Sequence, residues 1–326
     1  MVNIDENELL SQIVLSIVVP IYNVSEYLEK CLDSLVSQDL NRCEVLLVDD
    51  GSTDRSGCIC DEYGYNYPRI KVIHKNNGGL SDARNEGLKN SNGQYIMFLD
   101  GDDCLEEDSL VNVLNHLNGK NDIFVTNYHS VSRNKTTEYL YTPFSETLSG
   151  ISFLEMQYRK KTMISSVVQN IYRREFLIEN EFWFKKGIFH EDEEWVPRVF
   201  EKAKSVCFLP ICYYVYLLRD NSIMTSNDNS KHFSDFSNTF DSLLSYFHSY
   251  SFKNPLLYSL LKDNLTDKYL SIYARGQLYR NKSIATKKFG QLKGNLFFAK
   301  TKIKVLIFSL SKKMFCKLSK IINKNG

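Results

Sequence analysis

Three groups of carboxylates dominate this sequence of 326 residues, and each group follows an apolar run. They are VLLVDDGSTD with Asp49, Asp50 and Asp54, YIMFLDGDD with Asp100, Asp102 and Asp103, and GIFHEDEEW with residues 191–194. In an open α/β sheet, ligands bind beyond the carboxyl ends of the strands. Carboxylates gathered there can hold a divalent cation, which in turn can bind the phosphates of a nucleotide-linked substrate. We therefore predict a catalytic site where these segments converge.

The elements that must position these carboxylates alternate regularly through the first third of the chain. The predicted strands are VLSIVVP, CEVLLVDD, RIKVIHK, QYIMFLD and DIFVTNY, and the helices between them are SEYLEKCLDSLVSQ, TDRSGCICDEYGY, GLSDARNEGLKNS and EEDSLVNVLNHL. We expect Ser25 to cap the first helix and Asp103 the fourth. This alternation predicts an open, doubly wound, mostly parallel α/β sheet. Aspartates also end strands as ordinary turn residues, an alternative that suits one cluster better than two at successive strand ends.

The second half of the sequence is less regular. SGISFLEMQYRKK is predicted to be a helix that begins at Ser149, while SVVQNIYRR and SVCFLPICYYVYLLR are strand-like. Between them, HEDEEWVPRVFEK has helical spacing with Trp195, Val199 and Phe200 facing inward. From Ser234 onward the pattern is helical. We predict one α/β domain over residues 1–225 and a helical C-terminal region over residues 226–326.

Composition favours a folded protein of the cytoplasm. Hydrophobic residues make up 43% of the chain and charged residues 24%, both ordinary for a globular protein. The eight cysteines are scattered without a CxxC pair, which fits a reducing compartment. The N-terminal segment MVNIDENELLSQIV lacks the basic and apolar regions of a secretory signal, and no segment has the length of a membrane-spanning helix.

The basic residues are concentrated at the C-terminal end. No Asp or Glu follows Asp267, although 15 of the 40 basic residues do. Apolar residues recur there at three- and four-residue spacing, with lysines between them, which predicts a basic amphipathic helix. The apolar set is Ile303, Leu306, Ile307, Leu310, Met314, Leu318, Ile321 and Ile322. Residues 300–324 could lie on an anionic membrane surface, or the apolar face could dock on the acidic body. Nucleic-acid binding is disfavoured because no reader motif is present.

Four ordered motifs carry a resemblance to a known family. SIVVPIYNVSEYLEKCLDSLVSQ, EVLLVDDGSTD, NGGLSDARNEGL and YIMFLDGDD resemble the family 2 glycosyltransferases of GT-A fold, which build bacterial capsular and cell-wall polysaccharides. The match covers roughly residues 14–222. The resemblance implies a GT-A domain that uses a nucleotide-diphospho-sugar, and family habit favours UDP.

The resemblance gives the first two motifs a role in holding the nucleoside. It assigns Asp49 and Asp50 to the nucleoside, assisted by Pro20, Tyr22 and Asn23. A carboxylate at this position can accept the imide N–H of uracil. Ordinary turn chemistry accounts equally well for the proline and the asparagine.

The third motif has the features of an anion site. Gly78 and Gly79 precede the helix that contains Arg84, so free backbone N–H groups and a guanidinium are expected near a helix start. The resemblance places Arg84 beside the nucleotide diphosphate and Arg219 in a loop that folds over it. An ion pair with a neighbouring or strand-end carboxylate is an equal alternative for Arg84.

The remaining acids are assigned to metal binding and proton transfer. Hard carboxylate oxygens suit Mg²⁺ or Mn²⁺, and we assign Asp102 to the metal and Asp100 to the ribose or to a water on the metal. The resemblance makes Asp192 the base that takes the proton of the acceptor hydroxyl, with Glu191 positioning the acceptor or the donor sugar. Acids also favour the first turn of a helix through its dipole, which is the alternative for this pair.

The predicted activity is inverting, metal-dependent transfer of a sugar to a lipid-linked or growing surface polysaccharide, at the cytoplasmic face of the membrane. A sugar-1-phosphate nucleotidyltransferase is one rival, but VPIYNVSEYLEK lacks the glycine- and basic-rich loop that those enzymes carry after their first strand. The other rival is a non-catalytic nucleotide- or sugar-binding module, which would not need the Glu-Asp pair together with the DxD element.

Overall fold

The computed structural model describes residues 13–132, 135–218, 229–281 and 283–322. Within these ranges the chain forms two compact units. The first contains the described residues up to 153, with 162–187 and 191–218, and the second contains 154–161, 188–190 and the described residues from 229 onward. The predicted boundary between residues 225 and 226 lies outside the described residues and stays a prediction.

A single mixed sheet organises the first unit. In the described part of the chain its strands are β1 Leu15–Ile21, β2 Cys43–Asp49, β3 Ile70–His74, β4 Tyr95–Phe98, β5 Cys104–Leu105, β6 Ile123–Ser132, β7 Lys135–Tyr139, β8 Asn170–Arg173 and β9 Val206–Leu217. Their order is β3-β2-β1-β4-β8-β6-β9-β5, and β7 pairs with the C-terminal half of β6.

Strands β1 to β4 form one half of this sheet, and all pairs among them are parallel. Strands β3, β2, β1 and β4 are parallel neighbours, joined by α1 Ser25–Val36, α2 Ser56–Asn66 and α3 Leu80–Asn90. Every residue of β1 and β2 is buried, as a strand covered on both faces requires. The register aligns Ile21 with Asp49 and Asp49 with His74, so the carboxyl ends of these strands share one edge.

The other half of the sheet departs from simple alternation. Strand β8 lies between β4 and β6 and is antiparallel to both, whereas β6 and β9 are parallel. The sequence predicted β6 as the next strand of the α/β series, but the chain inserts β8 beside β4 instead. That pairing joins segments far apart in sequence, which local periodicity does not encode. The α/β fold class is confirmed, and the antiparallel pairs within the described sheet all involve β5, β7 or β8.

The N-terminus of α1 is capped by side chains of a neighbouring loop rather than by its own cap residue. The prediction that Ser25 caps α1 is wrong, because the cap position is Val24 and its side chain makes no capping bond. Instead, the Val24 N–H donates to Ser56 Oγ at 3.0 Å and the Ser25 N–H to Asp54 Oδ2 at 3.0 Å. The loop after β2 therefore supplies the acceptors that a helix start needs.

The remaining helices of the first unit include the one that begins with the acidic cluster. They are α4 Ser109–Leu114, the start of α5 Gly150–Lys160, α6 Arg174–Glu179 and α7 Glu191–Lys202. The Ser152 N–H donates to Ser149 Oγ at 3.2 Å, as expected of a residue that begins α5. Trp195, Val199 and Phe200 of α7 are fully buried, which confirms their predicted inward orientation.

The second unit is helical, as predicted. Beyond the end of α5 it contains α8 Asn229–Tyr246, α9 Tyr250–Lys253, α10 Pro255–Arg275, a 3₁₀ turn Leu278–Arg280, α11 Phe289–Lys293, α12 Ala299–Leu310 and α13 Lys312–Ile322. The continuous tail helix expected from the sequence is two helices, because Ser311 is extended (φ −156°, ψ 106°). Among the described residues, no helix is both long enough and apolar enough to cross a membrane.

Candidate active site

Asp49, the last residue of β2, is held by protein donors on both carboxylate oxygens. Its Oδ1 accepts the Ser52 N–H at 3.0 Å and its Oδ2 lies 2.9 Å from His74 Nδ1. The strand register brings the histidine there, since His74 ends β3 opposite Asp49. Burial acts to raise the pKa of Asp49, but the hydrogen bonds from Ser52 and His74 outweigh it and the pKa is lowered. The carboxylate is thus stabilised in its ionised form.

Asp50 is also satisfied within the protein, by donors from the loop after β3. Its Oδ1 accepts from Lys75 Nζ at 2.5 Å and from the Gly78 N–H at 2.9 Å, and its Oδ2 accepts from the Gly79 N–H at 2.7 Å. The side chain is 3% exposed. The expectation of free N–H groups at Gly78 and Gly79 is therefore wrong, because the anion that they bind is Asp50. Gly79 has φ +86°, a left-handed conformation that favours glycine.

Sequence reasoning missed Lys75. Its ammonium bridges Asp50 at 2.5 Å and Asp82 at 2.9 Å, and thereby links the end of β2 to the first turn of α3. Burial acts to lower the pKa of Lys75, but the two carboxylates outweigh it and raise the pKa. The signal was present in the sequence, because Lys75 directly follows β3 and must lie at the same sheet edge as the aspartates.

The residues at the end of β1 support the loop that follows Asp50. Asn23, with φ 50°, accepts the Thr53 N–H on its Oδ1 at 2.8 Å, and its own N–H donates to Ser52 Oγ at 3.1 Å. Asn23 thus performs the turn chemistry that the sequence allowed. Pro20 is buried in β1, whereas Tyr22 is 48% exposed. Nucleoside contacts by Pro20, Tyr22 and Asn23 stay predictions.

Arg84 joins the second acidic cluster to the third. Its Nη2 donates to Asp100 Oδ1 at 2.7 Å and its Nη1 to Glu191 Oε1 at 2.6 Å, so the strand-end ion pair is the alternative that forms. The guanidinium also lies 5.6 Å from the centroid of the Phe184 ring. Although burial acts against the charge, Asp100 and Glu191 outweigh it and raise the pKa of Arg84. Carboxylates from β4 and α7 are thereby brought to one place.

Arg84 is itself almost fully buried, with 3% of its surface exposed. Its Nε is enclosed and has no hydrogen-bond partner among the described residues. A buried guanidinium is stable only when paired, so Asp100 and Glu191 are needed to keep it in place. The predicted contact of Arg84 with a diphosphate stays a prediction.

The aspartates after β4 differ in burial. The side chain of Asp100 is 28% exposed and Asp102 is half-buried, whereas Asp103 is 1% exposed. Asp103 accepts the Tyr214 hydroxyl on Oδ2 and the Leu217 N–H on Oδ1 at 2.8 Å. The prediction that Asp103 caps the fourth helix is wrong, because α4 begins only at Ser109 and β9 supplies the donors.

The electrostatics of Asp103 show how crowded this cluster is. Burial, followed by the charges of Asp102 and Asp100, raises the pKa of Asp103 to about 8, against the opposing hydrogen bonds from Tyr214 and Leu217. Nothing in the local sequence indicates the partnership with β9, because it depends on a long-range strand position. The neighbouring carboxylates therefore act against ionisation of Asp103.

Asp192 lies in the first turn of α7, next to Glu191. Its Oδ1 accepts the Glu193 N–H at 2.8 Å. Burial raises the pKa of Asp192 well above its usual range, with further contributions from Glu191 and Glu193, against the Glu193 N–H and Arg84. Since Arg84 holds Glu191, Asp192 lies in the neighbourhood of the DxD element. A raised pKa makes this carboxylate a stronger proton acceptor once it is ionised.

The donor set after β4 fits a hard cation that arrives with its own ligands. Asp102 and Asp100 offer carboxylate oxygens, although Asp100 Oδ1 is shared with Arg84. Across the described ranges, no group of three or more His, Cys, Asp or Glu side chains could hold a metal ion unaided. Oxygens of a diphosphate and water would have to complete the coordination of Mg²⁺ or Mn²⁺. Arg219, predicted near the diphosphate, lies outside the described residues.

The fold places the chain in a class. A crystal structure of residues 1–349 of S. aureus TarS, determined in complex with UDP-GlcNAc, is similar with a TM-score of 0.68 at 18% identity, covering 96% of this chain and 92% of that one. The architecture is that of the GT-A glycosyltransferases.

Sequence comparison then gives the family. Residues 16–180 match the model of glycosyl transferase family 2, so this chain belongs to that family. It is 32% identical to glycosyltransferase GlyA of Streptococcus pneumoniae and 35% identical to the uncharacterized glycosyltransferase EpsJ of Bacillus subtilis, each match covering 64% of this chain. The matches span 31% of the length of GlyA and 62% of the length of EpsJ.

Proposed function

We propose that this protein transfers a sugar from a nucleotide-diphospho-sugar, with UDP favoured, to a hydroxyl of a lipid-linked or growing surface polysaccharide. The observation that carries the proposal is the position of Arg84 between Asp100 and Glu191. This pairing draws the DxD element and the Glu-Asp pair into one site. TarS, which shares the fold, has been solved with a UDP-sugar, and this supports the choice of donor.

In the proposed reaction Asp192 is the base. It takes the proton from the acceptor hydroxyl while that oxygen forms a bond to the anomeric carbon of the donor. The bond from the anomeric carbon to the diphosphate oxygen breaks, and its electron pair leaves with the nucleoside diphosphate. One displacement of this kind inverts the anomeric configuration. The raised pKa of Asp192 and its position beside Glu191 support this role.

The other residues hold the reactants. We propose that Asp102 binds Mg²⁺ or Mn²⁺ and that Asp100 orients the ribose or a water on the metal. When bound, the cation would stabilise the negative charge that develops on the departing diphosphate. Arg84 acts as a positioning residue that fixes Asp100 and Glu191.

The donor nucleoside would lie against the loops after β1 and β2. We propose that Asp49 and Asp50 shape this part of the site, with Pro20, Tyr22 and Asn23. The protein donors on Asp49 and Asp50 support a role in which these carboxylates fix the loop that meets the base. Arg219 is proposed to lie over the diphosphate.

We further propose that residues 1–225 form the catalytic GT-A domain and residues 226–326 a helical C-terminal region with a basic amphipathic tail. The protein would act as a peripheral protein at the inner face of the cell membrane. The concentration of basic residues after Asp267 supports this proposal, because an anionic leaflet attracts such a segment.

A donor screen tests the proposed activity. Thermal unfolding with Mn²⁺ and UDP-, GDP- or dTDP-sugars should identify the donor by the largest rise in melting temperature. That donor should then release its nucleoside diphosphate when a soluble oligosaccharide acceptor is added. Binding without release for any donor and acceptor pair would favour a non-catalytic module. Formation of pyrophosphate from a sugar phosphate and a nucleoside triphosphate would instead favour a nucleotidyltransferase.

A further inference from the structure

Helix α12 has two apolar faces. Val305 and Phe308 lie on the inner face and are 0% and 2% exposed, respectively. The Phe308 ring packs edge-on against the Tyr269 and Tyr273 rings of α10, with centroids 6.5 Å and 5.0 Å apart. At about 100° per residue, the second apolar face lies on the opposite side of the helix. This outer face consists of Ile303, Leu306 and Leu310, which are 57%, 49% and 72% exposed.

Helix α13 repeats this arrangement. Phe315 and Cys316 are buried at 4% and 1% exposure, and the Phe315 ring contacts Phe308 at a centroid distance of 5.5 Å. Met314 and Leu318 are 43% and 39% exposed. The apolar set predicted from the sequence is therefore not what docks the tail. Its members at 303, 306, 310, 314 and 318 face solvent and Ile307 is half-buried, whereas Val305, Phe308, Phe315 and Cys316 are buried in the second unit.

The polar contacts of the tail explain why the inner face is the docked one. Asp263 of α10 accepts the Phe298 N–H at 2.8 Å and the Thr301 hydroxyl at 2.7 Å. Asp267, the last acidic residue of the sequence, pairs with Lys304. These two carboxylates fix the start and the side of α12 against α10.

The other tail lysines lie beside the outer face. On a helical wheel Lys300 and Lys302 fall on either flank of the outer face of α12, and Lys313 and Lys317 fall on one flank of that of α13. All four are exposed, and within the described residues none forms an ion pair. An exposed apolar strip bordered by unpaired lysines is the arrangement of a helix that lies in a membrane interface.

We infer that the outer strip, defined as Ile303, Leu306, Leu310, Met314 and Leu318, is the surface by which the protein binds an anionic lipid bilayer. The apolar side chains would enter the boundary between headgroups and acyl chains, and the flanking lysines would contact lipid phosphates. A second copy of this chain fits less well, because its strip carries the same unpaired lysines and like charges would meet. The inference rests on the peripheral association proposed above and gives it a defined surface.

Vesicle sedimentation of the full chain tests the surface. Vesicles of phosphatidylcholine mixed with phosphatidylglycerol should bind the protein, and vesicles of phosphatidylcholine alone should bind it much more weakly. The double variant L306S/L310S removes two apolar side chains of the strip and should weaken binding roughly tenfold or more. The control Val111→Ser removes a side chain of matched exposure, 51%, in the first unit and should leave binding unchanged.

The charge reversal K302E/K313E separates the electrostatic contribution. It should weaken binding to the anionic vesicles and leave the weak binding to phosphatidylcholine unchanged, and added salt should reduce the difference. Equal binding of wild type and L306S/L310S would overturn the inference. So would a concentration-dependent dimer, measured by sedimentation velocity, that the same variant dissociates.

Activity on a soluble acceptor distinguishes this inference from the transferase proposal. L306S/L310S should keep wild-type nucleotide release with a soluble oligosaccharide, because the strip contains no residue assigned to the reaction. Loss of vesicle binding with retained release supports the surface. A wild-type protein that binds vesicles but releases no nucleotide would refute the transferase proposal and leave the surface standing.

Discussion

The aspartates at the end of β2 and those after β4 lie in similar sequence motifs, but their hydrogen-bonding and electrostatic surroundings are opposite. After β2, each oxygen of Asp49 and Asp50 receives a protein donor, and the pKa of Asp49 is lowered. After β4, Asp103 is buried beside two further carboxylates, and its pKa is raised to about 8. Protein groups therefore satisfy every carboxylate oxygen of the first cluster. In the second, burial and the charges of neighbouring carboxylates act against ionisation of Asp103.

This difference separates carboxylates that stabilise the fold from carboxylates that are proposed to take part in the reaction. Short motifs such as VDDG and LDGDD place carboxylates at a sheet edge, but they do not determine how many donors each carboxylate meets. Those donors come from β3, from the loops after β2 and β3, from α3 and from β9, which are positioned by the tertiary fold. Substitutions should therefore affect stability after β2 and activity after β4 and at the start of α7.

The largest expected effect is on the rate of sugar transfer. Asp192→Asn removes the proposed base while preserving the size of the side chain, and we expect the rate of transfer to fall about 10²–10⁴-fold. Donor binding should persist, because the base acts on the acceptor. Nucleotide release under saturating donor measures the rate, and calorimetry measures donor binding. Wild-type turnover in this variant would remove Asp192 from the mechanism.

The largest effect on stability is expected after β2. Asp50→Asn turns an amide group toward donors that now meet a carboxylate, and it leaves Lys75 with one carboxylate partner fewer. We expect a loss of about 2–4 kcal/mol in the free energy of unfolding, measured by urea titration. Asp102→Asn is the matched control, since it makes the same change at a half-buried position, and its cost should be below about 1 kcal/mol. Equal costs would show that the two clusters do not differ in this way.

The pH dependence of stability should have opposite signs in the two clusters. Asp103 binds its proton more tightly in the folded protein, so its contribution to stability falls as pH rises from about 4 to about 8. Asp103→Asn mimics the protonated acid and should lack this slope. The difference between wild type and variant should change by at most roughly 1.4 kcal/mol per pH unit over that range in metal-free buffer.

Asp49 should behave in the opposite way. Its lowered pKa contributes stability above its ordinary value of 3.8, and this contribution is lost as the pH falls through the lowered value. The difference between wild type and Asp49→Asn should therefore shrink only in strong acid. Slopes of the same sign in both variants would contradict the contrast between the clusters.

The smallest expected effect is on stability, from a substitution in the turn that holds the loop after Asp50. Asn23→Ala removes the acceptor of the Thr53 N–H and should cost about 1 kcal/mol of stability. Because Asn23 itself adopts φ 50°, Asn23→Gly keeps the backbone conformation accessible and separates the lost hydrogen bond from backbone strain. A cost seen with alanine but absent with glycine would assign the whole effect to the backbone.

Much of the first half of the fold could be predicted, because β1 to β4 and α1 to α3 follow local periodicity. The insertion of β8 and the pairing of β9 could not, since they depend on which distant strand fills a place in the sheet. The acids themselves stood out in the sequence. Their partners were predictable only where register sufficed, as for Lys75 and His74, and not for Tyr214.

The tail shows a different limit of sequence analysis. Its helical character and basic charge followed from residue spacing, and the exposed strip consists of residues that the spacing selected. The buried face could not be chosen in advance, because Val305, Phe308 and Phe315 are apolar as well. Contacts with the rings and carboxylates of α10 decide which face is covered.

We propose that the cluster after β4 binds a cation together with a diphosphate. Calorimetric titration of UDP into wild type and Asp102→Asn, each with Mn²⁺ and with chelator, tests it most directly. We predict that Mn²⁺ raises the affinity of the wild type for UDP at least tenfold, or about 1.4 kcal/mol, and leaves that of the variant unchanged. An equal gain in both proteins, or no gain in the wild type, would contradict the account.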